Sequence, residues 1–193
     1  SFVYNTTAWI LNKPALTQTL TAAGTVVAQR RFSYDGAGNL IKEEEWRNLP
    51  AEAWLATTLT YDGYGNVSTI TDALNRTTTN TYDATGTYLT QIRNTLGHSR
   101  QLAYDARLGA VTSSTDQNGV TTTTQHDALG RVTKVIGPND TAALPTISYS
   151  YDLSTNPAKT TASTRIQSGQ SAVLTVYTFT DGLGREIQRR SPS

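Results

Sequence analysis

Tyrosine, aspartate, histidine and glycine recur together in this chain at fixed spacing, and that combination is the first candidate for chemistry. The phrase is an aromatic, an aspartate, two variable residues and a glycine. It stands at Tyr34, Asp35 and Gly38, at Tyr61, Asp62 and Gly65, and at Tyr82, Asp83 and Gly86. Tyr104, Asp105 and Gly109 carry it with one extra residue, and His126, Asp127 and Gly130 with histidine in the tyrosine slot. From Tyr61 the steps are 21, 22 and 22 residues. Paired with a serine, His126 and Asp127 would supply the base and orienting acid of a nucleophilic triad, but no Gly-x-Ser-x-Gly surrounds any serine. The oxygens of Asp35 to Asn39 and Asp62 to Asn66 suggest a calcium loop, without the clustered acids such a loop needs. With two histidines and no cysteine, a metal site built on His or Cys is excluded. The glycine pairs are not phosphate loops, since no helix opening with Lys-Ser/Thr follows them. Trp9, Trp46 and Trp54 are the candidate platforms for a sugar ring.

The same residues are what a chain reversal requires. An aspartate opening a turn accepts hydrogen bonds from amides two residues on, and a Gly or Asn three residues later takes the left-handed conformation. A second Asp/Asn turn falls halfway through each period, at Asp72 to Asn75, Asn94 to Gly97 and Asp116 to Gly119. Each period is therefore two strands and two reversals, a period typical of repeat architectures. Strand residues alternate: Phe32 with Tyr34, Leu59 with Tyr61, Leu102 with Tyr104 and Tyr149 with Tyr151 share faces. Threonines such as Thr77 to Thr79 and Thr121 to Thr124 fill the positions between, so aromatics stack on one face and threonine ladders form on the other.

The expected fold is all-β: an antiparallel hairpin array forming a twisted or spiralling strip, one array over 1–193. Residues 1–31 supply leading strands split by a turn at Asn12-Lys13-Pro14, 32–135 the regular repeats, and 136–193 looser ones. The interval from Tyr34 to Tyr61 is longer than the period, and Asn48, Pro50, Glu52, Ala53, Leu55 and Ala56 predict a short helical insertion near 48–56. Tyr151 and Asp152 restart the phrase without its glycine. Asp181 and Gly184 keep the turn but move the aromatic back to Phe179, which puts its ring on the opposite face and suggests a bulge or an edge.

Composition agrees. Threonine numbers 35 of 193 residues, with 14 glycines, which favours strands and turns. A formal net charge of +1 offers no global field for nucleic acid or an anionic membrane. No apolar run approaches the roughly 20 residues of a spanning helix. A chain starting at Ser1 without methionine is expected to be a segment of something longer.

Tyr-Asp-x-x-Gly-[Asn or Arg], repeating with a second Asp/Asn turn between, resembles the YD repeat of bacterial Rhs proteins, wall-associated proteins, Tc-toxin shells and teneurins. The likeness spans Phe32 to about Arg185. It implies a β-strip that spirals into a hollow shell, which in Rhs and Tc proteins encloses a toxic domain and in teneurins supports adhesion. A closed shell takes many more repeats than this chain holds. The Asp-Pro self-cleavage motif that ends many Rhs shells has no counterpart, for no Asp-Pro pair occurs.

The expected function is thus a non-enzymatic wall segment of a secreted or cell-surface protein, with no cofactor or metal. Its partners are further repeats or copies of itself meeting through open sheet edges, and an enclosed toxin domain or a surface glycan. The alternatives are a self-associating unit of a fibre or sheath, and a glycan- or receptor-binding module. All the phrase residues named above act as structural turns in this reading.

Overall fold

The computed structural model describes residues 2–5, 10–47 and 53–192, and every regular element among them is a β-strand. The chain divides into two compact units, Ser1–Ser99 and Arg100–Ser193.

In the first unit a hairpin of β1 (Phe2–Asn5) and β2 (Ile10–Pro14) precedes a meander. The meander contains β3 (Leu16–Leu20), β4 (Val26–Tyr34), β5 (Leu40–Arg47), β6 (Ala53–Tyr61), β7 (Val67–Thr71), β8 (Thr77–Tyr82) and β9 (Leu89–Arg93). Spatial order is chain order, and every pairing is antiparallel. The second unit repeats the plan with β10 (Ser99–Asp105), β11 (Ala110–Thr115), β12 (Thr121–His126), β13 (Val132–Ile136), β14 (Ile147–Asp152), β15 (Ala158–Arg165), β16 (Val173–Thr180) and β17 (Glu186–Arg190).

Two expectations fail here. Ala53 to Ala56 are not helical but open β6, where Trp54 sits directly opposite Trp46 and Ala56 opposite Glu44. A one- to two-turn helix is too short to nucleate by itself, whereas a cross-strand aromatic pair rewards the extended conformation. The rest of the predicted insertion, 48–52, lies outside the described residues. Asn12-Lys13-Pro14 does not turn either: it ends β2, with Lys13 opposite Val3 and Pro14 opposite Phe2. Proline is tolerated at a strand end, where no ladder bond needs its missing N–H.

Register separates the two faces. In the first unit Leu59 pairs with Ile70, Ile70 with Thr78, Tyr61 with Val67 and Tyr82 with Leu89, all on one face. The other face carries Thr60, Thr69 and Thr79 in one row and Thr58, Thr71 and Thr77 in the next. Thr60 Oγ1 lies 2.6 Å from Thr69 Oγ1 and Thr71 Oγ1 2.9 Å from Thr77 Oγ1. Trp46 and Trp54 share this second face with Arg31, whose guanidinium stacks 3.6 Å from the Trp54 ring centre. In the second unit Tyr151 pairs with Thr160, and Thr160 with Thr178. Phe179 therefore lies on the face opposite Tyr151, as the one-residue shift requires, and β17 beside it ends the strand order.

No described residue is buried as a whole. Apart from the β1–β2 hairpin, the described strands of each unit lie side by side in one sheet, so neighbouring strands are the main source of cover for each side chain.

Candidate functional site: the aspartate-closed turns

A five-residue loop recurs at the strand ends, built by its aspartate. Asp62 N–H donates to the Asn66 carbonyl at 2.9 Å, and Gly65 N–H returns to the Asp62 carbonyl at 3.1 Å. Oδ1 of Asp62 accepts the amides of Tyr64 and Asn66, each at 2.9 Å, and Oδ2 accepts Asn66 Nδ2 at 3.2 Å. The same set surrounds Asp35, with Asn39 as the closing side chain. At Asp127 and Asp181 the closing group is arginine: Arg131 Nε at 2.7 Å and Arg185 Nε at 2.8 Å. In these four loops the residue after the glycine, Asn or Arg, reaches Oδ2.

The second turns use the same loop. Asp72 is closed by Arg76 Nε at 2.6 Å, and Asn75 takes the glycine position with φ of 59°, a left-handed conformation that asparagine tolerates. Asn94 and Asp116 accept their two amides in the same way; His98 supplies one of those amides from the closing position and stays exposed.

Two loops are stretched. Asp83 N–H reaches to Tyr88, and its carboxylate takes the amides of Thr87 and Tyr88 and the Thr85 hydroxyl. Asp105 receives both Leu108 and Gly109 N–H on its carbonyl and is gripped by Arg107, whose Nη2 lies 2.8 Å from Oδ2. Asp152 makes no such loop; it holds Ser154 at 2.6 Å and lies 3.8 Å from Lys159.

These bonds favour the ionised carboxylate. Asn39 holds Asp35, and Arg76 holds Asp72, below the usual carboxylate range. Arg185 does the same to Asp181, and Arg107 brings Asp105 down to about 2. An aspartate so engaged is a weak base, which suits a clasp rather than proton transfer.

The tyrosine of the phrase has a separate task. Tyr61 Oη donates to the Leu40 carbonyl at 2.7 Å, Tyr82 Oη to Val67 at 3.4 Å, and Tyr151 Oη to Val132 at 2.8 Å. Leu40, Val67 and Val132 are each the first residue of the strand that follows the preceding aspartate turn. That strand is bulged: Thr60 pairs with Thr69 but Tyr61 with Val67, leaving Ser68 as the extra residue. Register skips in the same place after Asp35, Asp83, Asp105, Asp127 and Asp181, and not between β5 and β6, β7 and β8, or β11 and β12. A bulge disturbs the ladder and bends its strand. The tyrosine hydroxyl caps a carbonyl at that disturbance, and so joins one repeat to the one before. Tyr34 likewise donates to the Pro14 carbonyl, at 3.0 Å.

Turns also touch one another. The Tyr64 ring lies over Gly86, its hydroxyl donates to the Ala84 carbonyl at 3.1 Å, and Asn66 Nδ2 donates to the Gly86 carbonyl at 2.7 Å. In the second unit a different clasp fixes the long loop before β14. Asp140 and Arg165, with side chains only 6% and 4% exposed, lie 3.7 Å apart. Asp140 accepts Thr146 Oγ1 at 2.6 Å and Ser168 Oγ at 2.7 Å, while Arg165 donates to the Pro145 and Gln170 carbonyls. The Thr146 and Ser168 hydroxyls hold the Asp140 carboxyl below its usual range.

No hydrogen bond or ion pair joins His126 to a serine among the described residues, and no group of three His, Cys, Asp or Glu there is placed to hold a metal ion. Trp46 and Trp54 come together; Trp9 lies outside the described residues. The bulge, the hydroxyl link and the Asp140–Arg165 clasp were not anticipated. The bulge does have a trace in the sequence: Val67 with Ile70, Leu89 with Ile92 and Val132 with Val135 share a face although three residues apart, an odd spacing that only an extra residue permits.

Residues 104–142 match the RHS Repeat family model. That stretch, about a fifth of the chain, is a YD/Rhs repeat segment. No curated protein matches the chain. Among solved structures it is similar to TcdB2-TccC3 without its hypervariable C-terminal region, at 14% identity over 93% of this chain and 13% of that one, with a TM-score of 0.48. It is also similar to the Photorhabdus luminescens Tc holotoxin pore carrying a TccC3 mutation (12% identity, 92% and 13% covered, TM-score 0.37). A third is TcdB2-TccC3-Cdc42 (16% identity, 92% and 9% covered, TM-score 0.37). The chain thus spans about an eighth or less of the length of these chains.

Proposed function

We propose that this repeat segment is a non-enzymatic length of β-sheet wall in an exported or cell-surface protein. In this reading 1–193 is a single array, with leading strands over 1–31, regular repeats over 32–135 and less regular ones over 136–193. The carrying observation is the tyrosine link: hydroxyls of Tyr61, Tyr82 and Tyr151 each cap the bulge of the preceding repeat, so the sheet can be extended hairpin by hairpin without a central core. The turn aspartates and glycines are clasps in that wall. Its partners are further repeats of the parent chain and an enclosed toxin domain, with the tyrosine face and the threonine face opposite sides of the wall.

Cysteine labelling tests this, because the chain has no native cysteine. Thr78→Cys and Thr79→Cys place single thiols on opposite faces of β8. Within the parent protein one thiol is expected to react with a bulky maleimide much more slowly than the other. Equal rates would exclude an enclosing wall.

A second reading is self-association through sheet edges. It draws on β17, every residue of which is exposed, and on β3, where only Leu16 is partly covered. Light scattering across a concentration series separates the two, since a monomer at the highest concentration argues against a fibre unit. The glycan reading gains nothing from Trp54, because Arg31 already stacks on its ring.

A further inference from the structure

Among the loops of the aromatic–aspartate phrase, those at Asp35, Asp62, Asp127 and Asp181 are of the regular five-residue kind. Each sends the chain into a bulged strand that begins five residues after the aspartate, at Leu40, Val67, Val132 and Glu186. The first three of these carbonyls accept a tyrosine hydroxyl from the strand that comes next in the chain. The Glu186 carbonyl accepts none among the described residues, because β17 pairs with β16 alone and ends the strand order of its unit. The register of the covering strand is equally regular. Lys42 lies opposite Thr58, Thr69 opposite Thr79 and Lys134 opposite Ser148. In all three, the residue two after the capped carbonyl meets the residue three before the tyrosine. Gln188 stands two after Glu186, on a strand whose five residues are all exposed. Such an edge is a template for a further strand.

We propose that the β17 edge binds an antiparallel strand carrying a tyrosine, in one register. The residue three before that tyrosine lies opposite Gln188, and the tyrosine hydroxyl donates to the Glu186 carbonyl. The occupant is the tyrosine-ending strand of a further repeat in the parent protein, since β6, β8 and β14, which cover the three capped strands, are all of that kind. This rests on reading the chain as part of a longer wall, and adds which strand joins it and where. Backbone pairing alone accepts any extended chain. The hydroxyl selects tyrosine over phenylalanine, and the bulge after Asp181 selects the register.

The test is an NMR titration of the nitrogen-15-labelled chain with a capped peptide copying residues 55–63, and with its Tyr61→Phe version. Saturable shifts are expected at Glu186 to Arg190, with a nuclear Overhauser contact between Gln188 and the peptide's Thr58. The phenylalanine version should bind about fivefold more weakly, the worth of one net hydrogen bond. The substitution is in the peptide, so the fold of the chain is not at stake. The proposal fails if β17 shows no saturable shift, if the two peptides bind equally, or if another residue lies opposite Gln188. It also fails if mixed labelled and unlabelled chains show β17 paired with a second copy that the peptide cannot displace. Thiol labelling of the parent protein reads the wall separately. Unequal rates there with no peptide binding here overturn the edge proposal alone; peptide binding with equal rates overturns the wall reading and leaves the edge register standing.

Discussion

Gly86→Ala puts one methyl group where the structure leaves no room. Gly86 has φ of 67°, so any Cβ meets the following carbonyl, at about 1–2 kcal/mol. That Cβ would also lie 2.4 Å from Tyr64 Cγ and 2.5 Å from Cδ2, more than 1 Å inside van der Waals contact. The ring must leave, and its hydroxyl loses the Ala84 carbonyl, a further loss of about 1 kcal/mol. The expected cost is about 2–3 kcal/mol. Gly130→Ala is the internal control: φ is 78°, but nothing lies within 4 Å, so only the backbone strain of about 1–2 kcal/mol applies. Urea unfolding of both variants, in the parent and in a Tyr64→Ala background, measures the difference. Removing Tyr64 should bring the cost of Gly86→Ala down to that of Gly130→Ala. Equal costs in the parent background, or no change on removing Tyr64, would refute the turn-to-turn packing.

Three further outcomes are expected. Tyr61→Phe should cost about 1 kcal/mol through the lost bond to Leu40, and Tyr82→Phe less, because its bond is long at 3.4 Å; equal effects in urea melts would disprove the hydroxyl link. The turn carboxylates of Asp35, Asp72 and Asp181 titrate lower folded than unfolded, so the unfolded chain binds more protons in acid. Their contribution is complete above the ordinary carboxylate pKa of about 4 and is lost as pH falls through the folded values, which for Asp105 means about 2; a melting temperature unchanged from pH 5 to pH 2 would contradict this. Arg165→Met leaves the covered Asp140 carboxylate unpaired and should lower the melting temperature more than Arg165→Met combined with Asp140→Leu; a double variant no more stable than the single would show that the pair is not a clasp.

How much was legible depends on the range of the interaction involved. The aspartate loops were readable because each is closed by residues at most five apart, as with Asp62 and Asn66. The face assignment was readable because strand side chains alternate, and Phe179 fell on the opposite face as that rule requires. Ala53 to Ala56 were misread as helical because composition favoured it, and Trp46 opposite Trp54 could not be seen without the pairing of β5 with β6. The final segment looked irregular in sequence because Asp140 and Arg165, 25 residues apart, carry no local sign of meeting.

By itself, then, the sequence determined the reversals, the all-β class and the two chemically distinct faces, since these follow from side chains a few residues apart. Tertiary structure alone decided why the aromatic of the phrase is so often tyrosine. Its hydroxyl bonds to a carbonyl 15 to 21 residues earlier, at a bulge that appears only when two strands pair. It also decided that the slot between the Asp62 and Asp83 turns is filled by Tyr64. Side-chain direction across a turn depends on the neighbouring hairpin, and the chain must be folded before that neighbour exists.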